Sequence, residues 1–361
     1  MKEKTYIALS KMLGKSVVDA DYDKAKLQGG TLGDVQLLEG IAETKRGDKL
    51  PFKMVFKTQE KWERAGDKDS WRREHDLYVS DLGKVLTESF GWPKCYYTEA
   101  ESDKIRIWME YVDGVSGRNL TIKMLEKAAV ELGRFQGKIF TTPSLVKDLP
   151  NFSDTGFLKR DYEKWHHQQY SYERLIHENC PLDDLQKQAI KDGKIKIIEG
   201  KSYEYSFLRS EECKIPEHLK QMIFKIDDEM DCLFNEIAKL PVVLCHRDFW
   251  VENIIYNDNK ISLIDWDTAG FGYLGEDLAS LIADDYDFDS FEECCQKLIP
   301  AYYNGIAEFM DISNIDKKFI KEMILIKFGY RAVQNFMFSD DDEEREEALT
   351  ALQKIFEMET I

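Results

Sequence analysis

The stretch from residue 242 to residue 281 constrains the fold most strongly, because short apolar runs alternate there with polar residues at fixed distances. Its first apolar run, Val242 to Cys245, predicts a buried strand. Two further runs, at 253–256 and 261–264, flank the polar residues 257–260 and predict a β-hairpin. We therefore expect the hairpin to bring the residue after its second strand back towards the residues that follow the first run.

Three residues with oxygen-bearing side chains lie at the ends of these runs. Asp248 follows the first run, Asn253 lies five residues later, and Asp265 follows the hairpin. Phosphoryl transfer needs a carboxylate that takes the proton of the acceptor hydroxyl, and hard oxygen ligands that hold Mg²⁺ across the phosphates. The residues therefore predict Asp248 as the catalytic base and Asn253 and Asp265 as ligands of Mg²⁺. The alternative is that all three are ordinary turn residues that cap strands.

The spacing from residue 246 to residue 253 follows the form H-R-D-x-x-x-x-N, the catalytic loop of kinases, which precedes a metal-binding aspartate. With I-D-W-D at 264–267 and G-E-D-L-A at 275–279, the chain resembles the aminoglycoside phosphotransferase and choline kinase-like family of small-molecule kinases. Protein kinases carry D-F-G and a long activation segment ending in A-P-E, and no such segment follows Asp265. The resemblance therefore favours a small-molecule kinase over a protein kinase.

The resemblance implies an α+β fold, in the two-lobed protein-kinase-like architecture with an antiparallel β-rich first lobe and a helical second lobe. It places the lobes at residues 1–113 and 114–361, with a variable acceptor-site insertion at about 144–216. At the end of the first lobe it implies a hinge, where backbone groups of Glu110 and Val112 read the purine edge of the nucleotide.

The activity implied by the resemblance is transfer of the γ-phosphate of ATP or GTP, with Mg²⁺, to a hydroxyl of an aminoglycoside-like or other small acceptor. A choline, amino-sugar or other metabolite kinase would use the same residues. A non-catalytic nucleotide-binding module is a further alternative, but it would be expected to have lost one of Lys57, Asp248, Asn253 and Asp265, and all four positions are filled. The acceptor and the choice between ATP and GTP stay open.

Supporting residues surround the predicted catalytic loop. By resemblance, Asp277 supports the loop, and we expect His246 to help hold it. The same role is expected of Arg247, because no phosphorylated activation segment is present for it to bind. Asp267 is a candidate for an additional metal or substrate contact.

A glycine turn and a lysine strand lie near the amino terminus. Gly29 and Gly30 interrupt a predicted strand pair, and glycines allow backbone amides to approach phosphates closely. Glycine hairpins are common, so the two glycines alone say little. Their position ahead of the strand at 52–57 is what favours nucleotide binding. Lys53 and Lys57 on that strand face the same side. We predict Lys57 as the phosphate-binding lysine, since the apolar residues before it resemble the family pattern, and Lys53 as an exposed strand residue.

Glu74 is the predicted partner of Lys57. In the kinase arrangement, a lysine on the third strand neutralises the α- and β-phosphates and pairs with a glutamate on the next helix. The setting R-E-x-x-L-Y around Glu74 resembles that helix in the family. The alternative is an exposed helix acid.

Apolar residues at helical spacing predict further helices. They lie at 3–13, 121–139, 217–239, 291–310, 317–338 and 342–358. The carboxy-terminal third is therefore expected to be helical.

The charge excludes some partners. With 50 Lys and Arg against 68 Asp and Glu, the formal net charge is −18, so we expect neither nucleic acid nor an anionic membrane as a partner. The charge would suit a cationic acceptor, and solubility alone is the alternative explanation. Two acidic clusters, at 284–289 and 340–344, are better explained by helix N-termini than by substrate binding.

Seven cysteines without a C-x-x-C spacing favour reduced thiols in a cytoplasm over a disulfide framework. No apolar run approaches the ~20 residues that span a bilayer, and the N-terminal residues show no signal-peptide core. We therefore expect a cytoplasmic protein, and the oligomeric state stays open.

Overall fold

The structure of the protein is a computed structural model. It describes residues 2–27, 33–62, 67–146, 151–164, 172–175, 182–284, 290–315, 317–339 and 341–358. The predicted glycine turn with Gly29 and Gly30 lies outside the described residues.

The amino-terminal part combines a helix with an antiparallel sheet. Its elements are α1 (Lys2–Leu13), β1 (Val17–Lys26), β2 (Gly33–Thr44), β3 (Lys49–Glu60), α2 (Ser70–Tyr78), β4 (Phe90–Gly91), β5 (Cys95–Ala100) and β6 (Lys104–Glu110). Five strands form one sheet in the order β1-β2-β3-β6-β5, and all neighbours are antiparallel. The predicted leading helix is confirmed as α1, and Gly14 follows it with a left-handed φ of 63°.

The two faces of this sheet have separate cores, because side chains alternate along a strand. Met54 and Phe56 of β3 pack with Trp108 in a cluster on one face, and Trp108 donates a hydrogen bond to Thr5 of α1 (Nε1 to Oγ1, 3.2 Å). Val55 packs on the other face in a cluster with Trp71 of α2 and residues of β6. Lys57 is two residues beyond Val55, so its side chain lies on the face that α2 covers.

The middle of the chain is mainly helical. Its elements are α3 (Ile122–Thr141), α4 (Phe157–Tyr162), α5 (Tyr172–Leu175), α6 (Asp184–Lys191), α7 (Tyr203–Leu208), α8 (Glu217–Asp228) and α9 (Met230–Ile237). The helix predicted at 121–139 is confirmed as α3. The helix predicted at 217–239 is wrong as one element, because the backbone leaves the helical region at Glu229 (φ −114°, ψ 16°) and divides it into α8 and α9.

The predicted β-hairpin is confirmed. Strands β7 (Val242–Cys245), β8 (Ile254–Asn257), β9 (Lys260–Leu263) and β10 (Gly270–Tyr273) follow in chain order. β8 and β9 pair antiparallel, and the two residues that join them, Asp258 and Asn259, both have positive φ, 45° and 64°. Two left-handed residues in sequence are typical of the type I′ turn, which matches the twist of a hairpin. β4 adds to β9, and β7 pairs with β10.

The carboxy-terminal part is helical, as predicted. Its elements are α10 (Glu276–Ala283), α11 (Phe291–Ala307), α12 (Phe319–Ile324), α13 (Tyr330–Phe338) and α14 (Asp342–Glu357). A π-helical turn, Leu325–Gly329, joins α12 to α13. Asp341 caps α14 by accepting a hydrogen bond from the Glu343 amide at 2.8 Å. The described acids of the second cluster therefore lie at a helix N-terminus, as expected, while the first cluster lies outside the described residues after Asp284.

The chain forms two compact units. The first comprises residues 1–153, 251–270 and 304–310, and the second comprises residues 154–250, 271–303 and 311–361. The lobe boundary predicted near residue 113 falls inside the first unit, and the lobes at 1–113 and 114–361 stay a prediction. Among the helices that the structure describes, none is both long and apolar enough to cross a bilayer.

Close packing of α3 against α11 generates a prediction. An added Cβ at Gly305 would lie 2.2 Å from the carbonyl oxygen of Val130, so Gly305→Ala should lower the free energy of unfolding by about 1–3 kcal/mol. Urea unfolding would measure the change. Gly83→Ala is the control, because the nearest atom to its Cβ is a Trp92 ring atom at 3.5 Å. Equal stability of the two variants would contradict the close approach.

Candidate active site

Lys57 is the centre of a buried charge cluster in the first unit. Its Nζ lies 2.6 Å from Oε2 of Glu74 on α2 and 2.6 Å from Oδ1 of Asp265, which follows β9. The predicted contact between Lys57 and Glu74 is therefore present. Lys53 has the exposed position predicted for it, since 46% of its side chain is accessible and its Nζ lies 3.4 Å from Glu39. The phosphate-binding role of Lys57 stays a prediction.

The charge of Lys57 is secured by its neighbours. Burial alone would lower the pKa of Lys57, but the nearby carboxylates of Asp265, Glu74 and Asp267 outweigh burial and hold that pKa above its ordinary value. The ammonium group therefore stays charged at neutral pH. The protonated form is the one that a phosphate-binding lysine needs.

The open end of the hairpin brings Asn253 and Asp265 together. The amide of Ile264 donates to the carbonyl of Asn253 at 3.1 Å, so the two predicted metal ligands flank neighbouring strand ends. Asn253 is buried, and 30% of the Asp265 side chain is accessible. A carboxylate and an amide oxygen are hard ligands of the kind that Mg²⁺ takes. The residues present therefore fit a magnesium ion, and their role as its ligands stays a prediction.

Asp265 has a strained backbone. Its φ of 64° lies in the left-handed region, which costs a residue with a side chain about 1–3 kcal/mol and persists only where the surroundings hold it. Lys57 holds the carboxylate, and the indole of Trp266 donates to the carbonyl of Leu263 at 3.1 Å. The next residues form a short 3-10 turn, Trp266–Thr268. Strain of this kind is common where a ligand is bound.

Two residues that the sequence analysis missed hold Asp267 in this turn. Its carboxylate accepts a hydrogen bond from Gln59 Nε2 at 3.4 Å, and its carbonyl accepts one from Arg73 Nη1 at 2.6 Å. Arg73 lies on the buried side of α2, three residues after Ser70 and four before Leu77. This helical spacing is the signal in the sequence that Arg73 is buried. A metal or substrate contact of Asp267 stays a prediction.

Asp277 anchors the H-R-D sequence in the second unit. Its Oδ2 accepts the amide of His246 at 2.8 Å, and its Oδ1 accepts the amide of Arg247 at 2.7 Å. The expected supporting role of Asp277 is confirmed. Burial, and next the charge of Glu276, raise the pKa of Asp277 to about 6, although the two amides act to lower it.

The Arg247 side chain also supports the loop, as expected. Its Nη2 donates to the carbonyls of Phe271 (2.6 Å) and Asp154 (2.9 Å), and its Nε lies 3.3 Å from Oε1 of Glu276. The φ of Arg247 is 69°, so this loop too has a left-handed residue. Asp248, the predicted base, follows directly and is half-buried.

The remaining predicted nucleotide contacts are backbone groups. Glu110 ends β6, its amide donates to the carbonyl of Lys94 at 2.9 Å, and its carboxylate accepts the amide of Lys94 at 3.0 Å. Val112 is half-buried. Reading of a purine by Glu110 and Val112 stays a prediction, as does phosphate binding at Gly29 and Gly30.

The charge cluster yields a prediction with a matched control. Lys57→Met leaves Glu74 buried without its cation, so the free energy of unfolding should fall by about 3–5 kcal/mol. Lys53→Met on the same strand and face should change it by less than about 0.5 kcal/mol. Urea unfolding of both variants at neutral pH measures the difference. Similar values would show that Lys57 does not stabilise the cluster.

The buried Asp277 carboxyl predicts a pH dependence. A raised pKa means that the folded state binds a proton more tightly than the unfolded state, so the contribution of Asp277 to stability falls as the pH rises through about 6. Relative to Asp277→Asn, the wild-type free energy of unfolding should fall by about 1 kcal/mol from pH 5 to pH 6 and be constant above about pH 7. A difference independent of pH in urea unfolding would contradict this.

Comparison with known proteins identifies relatives of the chain. Residues 84–309 match the phosphotransferase enzyme family. Human ethanolamine kinase 1 is 26% identical over 124 residues, which are 31% of this chain and 27% of that enzyme. Mouse ethanolamine kinase 1 is 36% identical over 59 residues, which are 15% of this chain and 16% of that enzyme. The matched segments thus span about a quarter or less of these relatives.

Solved structures share the fold over nearly the whole chain. Choline kinase from Cryptosporidium parvum has a TM-score of 0.53 at 14% identity, with 93% of this chain and 89% of that chain covered. A microcompartment-associated aminopropanol kinase has a TM-score of 0.51 at 13% identity, with 97% and 94% covered. A spectinomycin phosphotransferase has a TM-score of 0.50 at 16% identity, with 98% and 94% covered. These likenesses confirm the predicted α+β, two-lobed, protein-kinase-like fold.

The family match covers more than half of the 361 residues and includes the catalytic-loop motif and both residues of the hairpin end. The chain therefore belongs to the phosphotransferase enzyme family, and its fold is that of small-molecule kinases.

Proposed function

We propose that the protein transfers the γ-phosphate of ATP or GTP to a hydroxyl group of a small, cationic acceptor. The observation that carries this proposal is the position of the Lys57 ammonium, 2.6 Å from both Glu74 and Asp265. In kinases, a lysine paired in this way neutralises phosphate oxygens next to the metal-binding aspartate.

Nucleotide binding in this proposal rests on the first unit. Lys57 binds the α- and β-phosphates, and Glu74 keeps the lysine oriented. Asn253 and Asp265 would hold Mg²⁺, which neutralises charge on the transferred phosphoryl group when bound. Two solved structures with this fold contain nucleotides: the spectinomycin phosphotransferase contains ADP, and amicoumacin kinase, with a TM-score of 0.52 at 12% identity, contains AMP-PNP.

Asp248 takes the proton of the acceptor hydroxyl in this proposal. Asp277 fixes the amides of His246 and Arg247, and the Arg247 side chain is itself held by backbone carbonyls. The backbone that leads into Asp248 is therefore anchored at two successive residues. Such anchoring favours catalysis, since most of the rate enhancement in phosphoryl transfer comes from positioning and electrostatic stabilisation.

A cationic acceptor is supported by charge and by the relatives. The net charge of −18 would attract a cation. Ethanolamine, choline and aminopropanol, after which three of the relatives are named, each combine a hydroxyl with a positively charged nitrogen. We propose an amino alcohol or an aminoglycoside-like compound as the acceptor. We further propose a cytoplasmic location, without nucleic acid or a membrane as partner.

Acceptor-dependent release of ADP or GDP tests the proposal. Purified protein with Mg²⁺ and each nucleotide is assayed against ethanolamine, choline, aminopropanol, amino sugars and aminoglycosides. Asp248→Asn should keep nucleotide binding but lose at least about 10²-fold in turnover, the usual scale for a general base. Unchanged turnover in this variant would show that Asp248 is not the base.

The pattern across the panel separates the alternatives. Turnover with short amino alcohols alone would favour a metabolite kinase. Turnover with aminoglycosides would favour an aminoglycoside phosphotransferase. Nucleotide binding without turnover on any acceptor would favour a non-catalytic binding module. Failure to bind either nucleotide would overturn the proposal.

A further inference from the structure

Arg73 connects three separate segments of the first unit. It lies on α2 next to Glu74, and its side chain is fully buried. Its Nη1 donates to the carbonyl of Asp267 at 2.6 Å, and its Nε donates to the carbonyl of Asn151 at 2.6 Å. Its Nη2 lies 2.7 Å from both carboxylate oxygens of Asp67. A planar guanidinium presents five N–H donors on three nitrogens as a rigid fork, whereas the three donors of a lysine share one nitrogen and cannot reach partners so far apart.

The contact with Asp267 acts on the turn that contains Asp265. Asp265 is left-handed, and the 3-10 turn Trp266–Thr268 follows it directly. Lys57 holds this segment through the Asp265 carboxylate, and Arg73 holds it two residues later through the main chain. The two contacts fix different atoms on either side of Trp266, so they limit rotation of the Asp265 carboxylate away from its position.

Helix α2 provides both constraints from neighbouring residues. Glu74 orients Lys57, and Arg73 holds the turn, so the lysine and the aspartate are positioned from one rigid element. The Asn151 side chain strengthens this junction, since its Nδ2 donates to the carbonyl of Asp69 at 2.9 Å and to Asp76 at 2.8 Å. The start of α2, the segment at Asn151 and the turn after Asp265 are thus joined by hydrogen bonds.

We propose that Arg73 is a positioning residue that keeps Asp265 in the orientation needed to bind the metal–nucleotide complex. This inference rests on the proposed function. As a positioning residue, Arg73 binds neither nucleotide nor acceptor itself and acts through the backbone carbonyl of Asp267. Loss of its fork should therefore weaken metal-dependent nucleotide binding and leave the affinity for the acceptor unchanged.

Calorimetry of ADP or GDP binding, with the nucleotide that the wild type binds, tests the role of Arg73 over a series of free Mg²⁺ concentrations without acceptor. Arg73→Lys keeps the positive charge but loses the guanidinium fork. It should raise the Mg²⁺ concentration for half-maximal binding by about 10-fold or more, which is the usual effect of losing a residue that orients a metal ligand. Arg106→Lys is the control, because Arg106 lies on β6 of the same unit and pairs with Glu99 and Glu101, away from this junction. It should leave binding unchanged. Asp265→Asn gives the reference for a lost ligand.

A purely structural role of Arg73 would lower the melting temperature without a change in metal dependence. Unchanged Mg²⁺ dependence in folded Arg73→Lys would therefore overturn the inference, as would an equal effect of Arg106→Lys. If Arg73→Lys does not fold, Asp67→Asn, which loosens the guanidinium from its other side, should shift the Mg²⁺ dependence in the same direction, and no shift would overturn the inference. Absence of both ADP and GDP binding in the wild type would instead overturn the proposed function, and this inference with it.

Discussion

One ammonium group shared by two carboxylates organises the first unit. Lys57 comes from β3, Glu74 from α2 and Asp265 from the end of the hairpin, so a single buried cation joins three elements that are far apart in sequence. Because a buried charge is tolerated only when it is paired, each of the three elements is constrained by the position of the other two. The same contacts keep the lysine charged, as the phosphate-binding role proposed for it requires.

Charged side chains hold the main chain around both predicted catalytic segments. Asp277 binds two amides, Arg247 binds two carbonyls, and Arg73 binds the carbonyl of Asp267. The left-handed backbone of Asp265 and Arg247 can persist because these contacts surround it. Charge is thus used here to fix loop geometry.

The sequence predicted those parts of the fold and candidate site that depend on local patterns. The hairpin could be predicted because residues 257–260 are favourable in a tight turn, and Lys57 because its strand neighbours fit a known arrangement. The contact of Arg73 with the turn after Asp265 could not be predicted, since the acceptor is a main-chain carbonyl 194 residues away, and a carbonyl has no side-chain signature. The break at Glu229 was equally hidden, because no glycine or proline marks it.

The anchoring of the predicted catalytic loop by Asp277 has an evolutionary consequence. Amides are present in every residue except proline, so this contact places no demand on the side chains at positions 246 and 247 beyond the exclusion of proline. Mutations in the loop can therefore accumulate without loss of this contact as long as the aspartate stays, and only the additional support from the Arg247 side chain depends on the residue at that position. A loop supported in this way can keep its shape while sequence identity between relatives falls to low values.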